Sequence, residues 1–317
     1  MERSERIEGG IVGVVSGDAL GLPVQFRSRE AVRGDPIVGM RGHGTFDMPP
    51  GSWSDDGSLT LSLTLALTGS GDDLSAIADR FVRWYRDGEC TPFGEAYDIG
   101  NATDESMRRL MRGVSPLSAG SDGEWSNGNG SLMRILPAAL YSARLPAADL
   151  VQKVSDVSRI THGHPRSLLG CSLYALVAVD LLEGLSPAEA YRNLCSRAPD
   201  VFAGTALAAE LPRYARILDG GLAALEDAEI RSSTYVVDTL EAALWCLLTT
   251  TDFAGAVRKA VNLGEDTDSV GAVTGGLAGL HYGLSGIPTE WRAALVRGDE
   301  VHEWARAFAA ATERSST

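Results

Sequence analysis

Two groups of acids and hydroxyls in this chain share one pattern. In GSWSDDGSLTLSLTLAL (residues 51–67), Ser54, Asp55 and Asp56 stand together just ahead of an apolar run. In NLGEDTDSVGAVTGGLAGLHYG (262–283), Glu265, Asp266 and Asp268 alternate with Thr267 and Ser269 ahead of another. Oxygen ligands gathered at the mouth of a helix suit a hard cation. Either group alone also reads as a helix cap, because serine, threonine and aspartate start helices and the helix dipole favours carboxylates in the first turn. Their recurrence shifts the balance toward a metal site.

Three further segments carry polar groups. YDIGNATDESMRRLMRG (97–113) places Asp98 and Asn101 ahead of a helix, with Met107, Leu110 and Met111 on one face as core filler. In SNGNGSLMRILPAAL (126–140), Asn127, Gly128, Asn129 and Gly130 allow positive φ angles, so the loop is either an ordinary tight turn or a cradle of backbone N–H groups for an anion, backed by a helix from Ser131. SRITHGHPRSLLGC (158–171) holds His162 and His164, but no third histidine or nearby cysteine completes a zinc set, so a polar contact or a helix cap is the reading. Asp18, alone in the apolar segment 9–26, needs a partner if it is buried.

The elements that must position these groups are mostly helical. Gly271, Gly275, Gly279 and Gly283 recur every four residues and would form one bare ridge along a helix, a cost that close approach of a neighbouring backbone offsets. Residues 73–86, 186–195, 235–249 and 291–311 have helical spacing, whereas 28–52 reads as loop. Leucines 59, 61, 63, 65 and 67 alternate like a strand, yet 59, 63 and 67 also fit a helix, and the local pattern leaves both open. Without a composition break or β-α-β alternation, the chain predicts a single all-α domain over 1–317, with its core at about 9–311 and a frayed C-terminal tail.

Composition narrows the partners. A chain of 317 residues, 44% hydrophobic, can bury a large core. The net charge of −14, with Lys153 and Lys259 the only lysines and no run of bases, argues against the basic stripe that nucleic acid requires, so no nucleic-acid partner is expected. Four scattered cysteines and a charged N-terminus predict reduced thiols and a cytoplasmic setting without a targeting segment. The longest apolar run, 270–280, is too short to span a bilayer, so no membrane partner is expected. Oligomeric state is not fixed by the sequence; a monomer is favoured.

Taken in order, GDALGLPVQF (17–26), SWSDDGS (52–58), YDIGNAT (97–103), GNGSLMR (128–134), THG (161–163), YVVDTLEAALW (235–245) and NLGEDTDS (262–269) closely resemble the ADP-ribosylglycohydrolase family, nearest its bacterial dinitrogenase reductase-activating branch. The likeness runs over about 11–283. It implies an all-α bundle of roughly a dozen helices, with helix at 59–67 and two divalent metals, Mg2+ or Mn2+, in a central cleft. By motif the metal ligands are Ser54, Asp55, Asp56, Asp266, Asp268 and Ser269, with serine where the family usually has threonine at 54 and 269. Catalysis would fall to Asp98, as the group that activates or orients water, together with Asp56 and Asp268. Gln25, Asn101 and His162 would meet the substrate, and the loop of Asn127, Gly128, Asn129, Gly130 and Ser131 would hold the pyrophosphate. The implied reaction is metal-dependent hydrolysis of the bond between ADP-ribose and a modified protein side chain, arginine favoured.

One departure bears on that reaction. Many relatives have glutamate where this chain has Gln25, and an amide neither accepts a proton nor carries charge. Two other readings therefore stand beside the first: hydrolysis of another ribosyl N- or O-glycoside, including serine-linked or free ADP-ribose derivatives, or a weakened enzyme that binds ADP-ribose.

Overall fold

The computed structural model describes residues 1–314, which form sixteen α-helices joined by short 3-10 turns and loops. The first half holds α1 (Arg3–Gly21), α2 (Arg29–Gly34), α3 (Asp55–Ser70), α4 (Leu74–Asp87), α5 (Asn101–Met111), α6 (Pro116–Ala119), α7 (Leu136–Tyr141) and α8 (Ala147–Arg159). The second holds α9 (Pro165–Leu182), α10 (Pro187–Phe202), α11 (Ala215–Leu218), α12 (Val236–Leu248), α13 (Phe253–Val261), α14 (Thr267–Tyr282), α15 (Thr289–Ala294) and α16 (Gly298–Arg314). Among the described residues no strand forms; isolated bridges join Ser121 to His162 and Gly128 to Tyr235. One hydrophobic core cluster runs from Ile7 to Ala309.

The glycine ridge of α14 finds its partner in α1, whose Gly9, Gly13, Gly17 and Gly21 repeat at the same interval. A Cβ on Gly275 would lie 2.1 Å from the Gly13 carbonyl oxygen, and one on Gly17 would lie 2.0 Å from that of Gly271. The helices run antiparallel with their backbones touching, so glycines that each cost about 1 kcal/mol in helix propensity are offset by packing that no side chain permits. Gly21 ends against Thr267 and Asp268, and the Thr267 hydroxyl donates to the Gly21 carbonyl at 2.8 Å. The end of α1 is thereby fixed on the start of α14, where the second acidic group lies.

The leucines at 59–67 belong to α3, and helix wins over strand because the run is buried almost all round; only Leu65 is half-buried, so period-2 alternation carries no exposed face. Asp73 caps α4, His164 caps α9 by accepting from the Arg166 amide, and Ser186 with Glu189 forms a capping box ahead of Pro187. Several expectations change. Residues 28–52 contain the short α2, capped by Ser28. No α-helix starts at Ser131: one 3-10 turn, Leu132–Arg134, precedes α7. Met107 is buried but Met111 is 47% exposed, so only the first is core. Of the tail expected to fray, Glu313 and Arg314 continue α16, and 315–317 lie outside the described residues. Two segments, Arg3–Val24 and Pro165–Leu182, are long and apolar enough to cross a bilayer by length and composition, but 94% and 89% of the apolar 18-residue window in each is buried inside the fold, as in core helices.

Candidate active site

The two acidic groups meet where α3 and α14 begin side by side. Asp18, near the end of α1, answers its own need for partners by organising the first group: its carboxylate accepts from the Ser54 amide at 2.9 Å, the Gly57 amide at 2.7 Å and the Ser54 hydroxyl at 3.0 Å. Ser54 caps α3, and Asp55 and Asp56 occupy its first turn. Asp266 occupies the N-cap position of α14 without a side-chain capping bond, Asp268 lies in the first turn, and both are buried, whereas Glu265 is exposed and stays outside the group. The Ser269 hydroxyl donates to Asp56 Oδ2 at 3.4 Å and ties the two helix ends together.

These acids floor a cleft of about 580 Å³ whose walls include Gln25, Asp55, Asp56, Asp98, Asn101 and His162. Asp98 enters from the loop before α5 with φ of 57° and stands against Asp268 and the Gln25 amide. Asn101 is the first residue of α5 and exposed at the cleft edge. Ser54 and Asp268 lie beneath the lining, each almost wholly buried.

The electrostatics of the floor are those of crowded carboxylates. Burial raises the pKa of Asp55, Asp56 and Asp268 well above the usual carboxylate range, and neighbouring aspartates raise it further. Burial also pushes Asp18 to about 7 and Asp266 to about 6, the latter restrained by the Asn129 amide. Asp56 Oδ1 and both oxygens of Asp268 are buried without a hydrogen-bond partner. As the side chains lie, no three histidine, cysteine or acidic groups converge as a ready ligand set among the described residues. The fit to a hard cation rests instead on those orphaned oxygens and on the all-oxygen character of Asp55, Asp56, Asp266, Asp268, Ser54 and Ser269.

The asparagine-glycine loop is built differently from either sequence reading. The Asn129 amide donates to the Thr234 carbonyl at 2.9 Å and the Val236 amide to that of Asn127 at 3.0 Å, so the loop is pinned to the entry of α12. Neither Gly128 nor Gly130 has positive φ. Glycine at 130 serves clearance, because a Cβ there would lie 2.8 Å from His162 Cε1. Asn129 spends its side-chain amide on Asp266 at 2.5 Å and Thr239 at 2.9 Å, holding an acid in place. Ser131 does not reach the cleft: it is fully buried, with its hydroxyl accepting from Ser158 at 2.8 Å. Asn127 lines a neighbouring hollow with Trp125, Arg166 and Tyr235, not the acid-floored cleft.

Arg134 and Thr161, not singled out in the sequence, back His162. Both are fully buried behind His162, and Arg134 donates to the Thr161 hydroxyl at 2.7 Å. The visible signal was their position inside GNGSLMR and THG. Burial also holds the His162 imidazole down to about 3, so it is neutral in ordinary buffers.

Comparison with known proteins identifies the family. The family model for ADP-ribosylglycohydrolase matches residues 1–317. The ADP-ribosylarginine hydrolase Tri1 of Pseudomonas putida (strain GB-1) is 35% identical over 294 residues, covering 90% of this chain and 73% of that protein. The ADP-ribosyl-dinitrogen reductase glycohydrolase of Rhodospirillum rubrum is 31% identical over 294 residues, covering 92% of this chain and 90% of that protein. A solved structure of an ADP-ribosylglycohydrolase-related protein complex superposes with a TM-score of 0.83 at 33% identity, covering 98% of this chain and 99% of that chain.

Proposed function

Because this chain belongs to the ADP-ribosylglycohydrolase family, we propose that it is a divalent-metal-dependent hydrolase that cleaves the glycosidic bond between ADP-ribose and a modified arginine side chain. The observation that carries the reading is the floor of the cleft, where buried, unpartnered oxygens of Asp56 and Asp268 lie beneath a wall carrying Asp98. Preference for arginine is supported by relatives named as ADP-ribosylarginine hydrolases.

Ser54, Asp55, Asp56, Asp266, Asp268 and Ser269 would hold two Mg2+ or Mn2+ ions. When bound, such ions supply charge neutralisation and Lewis-acid polarisation of substrate and water oxygens. The protein's own part starts with Asp98. Burial raises its pKa above the usual carboxylate value and so makes it a stronger base, while the Gln25 amide favours its ionised form. It accepts a proton from the water whose oxygen attacks the anomeric carbon; the carbon–oxygen bond forms as the carbon–nitrogen bond to the guanidino group breaks, and Asp98 passes the proton to the leaving nitrogen, which returns it to its carboxylate form. Carboxylates around the ribose stabilise the positive charge that develops at that carbon. Asn101, Gly128, Gly130 and His162 also line the cleft and would orient the remainder of the ligand. A second reading, an ADP-ribose binder with little turnover, draws on Gln25, which places an amide among the acids.

The deciding experiment offers the purified protein arginine-linked, serine-linked and free ADP-ribose derivatives, with Mg2+ or Mn2+ and with EDTA. Release from the arginine-linked substrate that EDTA and Asp268→Ala both abolish is the expected result. Tight ADP-ribose binding with no release from any member of the panel would replace the hydrolase with the binder.

A further inference from the structure

Behind the wall of the cleft, three buried side chains form a line. Arg134 is 0% exposed, Thr161 0% and His162 3%. The Arg134 guanidinium lies with its Cζ 4.5 Å from the centre of the Phe81 ring and donates to the Thr161 hydroxyl at 2.7 Å. The same hydroxyl is 2.9 Å from His162 Nδ1.

Donor and acceptor bookkeeping fixes the hydrogens along this line. A guanidinium only donates, so Thr161 Oγ1 accepts from Arg134. The threonine hydroxyl has one hydrogen to place, and His162 Nδ1 is the other polar side-chain atom in contact with it among the described residues. If Nδ1 also carried a hydrogen, the buried hydroxyl hydrogen would have no acceptor, at a cost of about 1–3 kcal/mol. Nδ1 therefore accepts, and the ring hydrogen sits on Nε2. Nε2 has no protein hydrogen-bond partner among the described residues. It faces the side of the cleft where Gly128 and Gly130 leave room: a Cβ on Gly128 would lie 3.7 Å from it and one on Gly130 3.2 Å.

We infer that Arg134 and Thr161 are positioning residues that hold His162 as a neutral Nε2–H donor aimed at a phosphoryl oxygen of the bound ligand. Arg134 orients the hydroxyl, the hydroxyl selects the tautomer, and the tautomer makes the cleft wall a donor to oxygen instead of an acceptor. Burial of the ring first, and the positive guanidinium behind it second, keep the imidazole uncharged, so it recognises ligand without taking or giving a proton. The ligand half of the inference rests on the ADP-ribose reading above; the tautomer half does not.

The test is long-range 1H–15N correlation on the full-length protein with 15N-labelled histidine, with the His162 signals assigned by their loss in His162→Gln. The native protein at neutral pH should show the Nε2–H pattern, retained in Thr161→Ser and replaced by a mixed or Nδ1–H pattern in Thr161→Val. Binding of ADP-ribose should weaken roughly fivefold to tenfold in Thr161→Val, as for loss of one net hydrogen bond, while binding of adenosine, which lacks phosphate, changes little. Should Thr161→Val not fold, Arg134→Lys provides a second variant, with partial loss of the tautomer preference expected. An Nδ1–H or doubly protonated ring in the native protein would overturn the inference, as would equal loss of adenosine and ADP-ribose binding. Absence of ADP-ribose binding by a native protein that shows the Nε2–H pattern would overturn the proposed substrate and leave the tautomer assignment standing.

Discussion

Gln25 lies against Asp98, and its side-chain amide favours the ionised form of that carboxyl. The same amide also favours ionised Asp266, while Gln25 Oε1 is buried without a partner. An amide at this point gives two acids a donor, whereas a glutamate would add one more carboxylate to a floor whose members already raise each other's pKa.

Catalysis should accordingly depend on Asp98 far more than on residue 25. With cation present, Gln25→Glu is expected to alter kcat by less than about tenfold, whereas Asp98→Asn should lower it by about 10²–10⁴, the span of a lost general base. Steady-state release of ADP-ribose from an arginine-linked substrate measures both. A gain of a hundredfold or more in Gln25→Glu would mean that the missing acid, and not Asp98, is the working base.

Cation binding should stabilise the fold. The acids on the floor have raised pKa values because burial and neighbouring charges disfavour ionisation, so a cation that binds only the folded form relieves both. At a hundredfold excess over Kd the gain is about 2.7 kcal/mol, equivalent to a Tm rise of about 5 °C for a chain of this size. Because protons and cations compete for the same oxygens, the rise should be larger at pH 8 than at pH 5.5. Calorimetry with Mn2+ or Mg2+ against EDTA checks it, with Asp268→Asn expected to show a much smaller rise.

The contact between α1 and α14 admits no Cβ. Gly275→Ala would set a methyl 2.1 Å from the Gly13 carbonyl oxygen, where backbone must move against backbone, and a loss of about 3 kcal/mol or failure to fold is expected. Gly69, near the end of α3, has no atom within 4 Å of its would-be Cβ; Gly69→Ala should stabilise by about 0.5–1 kcal/mol. Urea unfolding of the two variants separates a packing glycine from one that only costs propensity, and equal effects would discredit the distinction.

How far the sequence reaches is visible in the same helices. The four-residue repeat of α14 is legible as a bare ridge, and so is the identical repeat at Gly9, Gly13, Gly17 and Gly21; only their pairing across some 250 positions is not, because periodicity within one segment does not name its partner. Asp18 was legible as an acid in need of donors, but the donors are backbone amides of Ser54 and Gly57 that only the tertiary fold supplies. Asparagine and glycine left the 126–131 loop open between a tight turn and an anion cradle, and the resemblance favoured the cradle. The loop's pairing with 234–236, the use of Gly130 to clear His162 and the burial of Ser131 against Ser158 all follow from neighbours distant in sequence. Arg134 was hidden for the opposite reason: arginine is mostly exposed, and nothing local distinguishes one buried against Phe81.

His162 makes a prediction about acid stability whose sign follows from its burial. Desolvation first, and the charge of Arg134 second, hold its folded pKa at about 3, against about 6.5 in an unfolded chain. Between those values the unfolded chain binds a proton that the folded protein refuses, so unfolding becomes easier as pH falls. The stability associated with a neutral His162 is complete above about pH 6.5 and is lost progressively as pH falls toward 3, by on the order of 3 kcal/mol at pH 4. The buried aspartates have raised pKa values and act in the opposite direction, but they are common to native protein and variant and cancel in the difference. His162→Gln removes the titrating ring, so its stability relative to the native protein should improve by roughly that amount between pH 7 and pH 4. Urea unfolding at 25 °C across this range measures the difference; a gap between the two proteins that stays constant with pH would show that the ring takes up its proton in the folded state and is not the neutral donor described here.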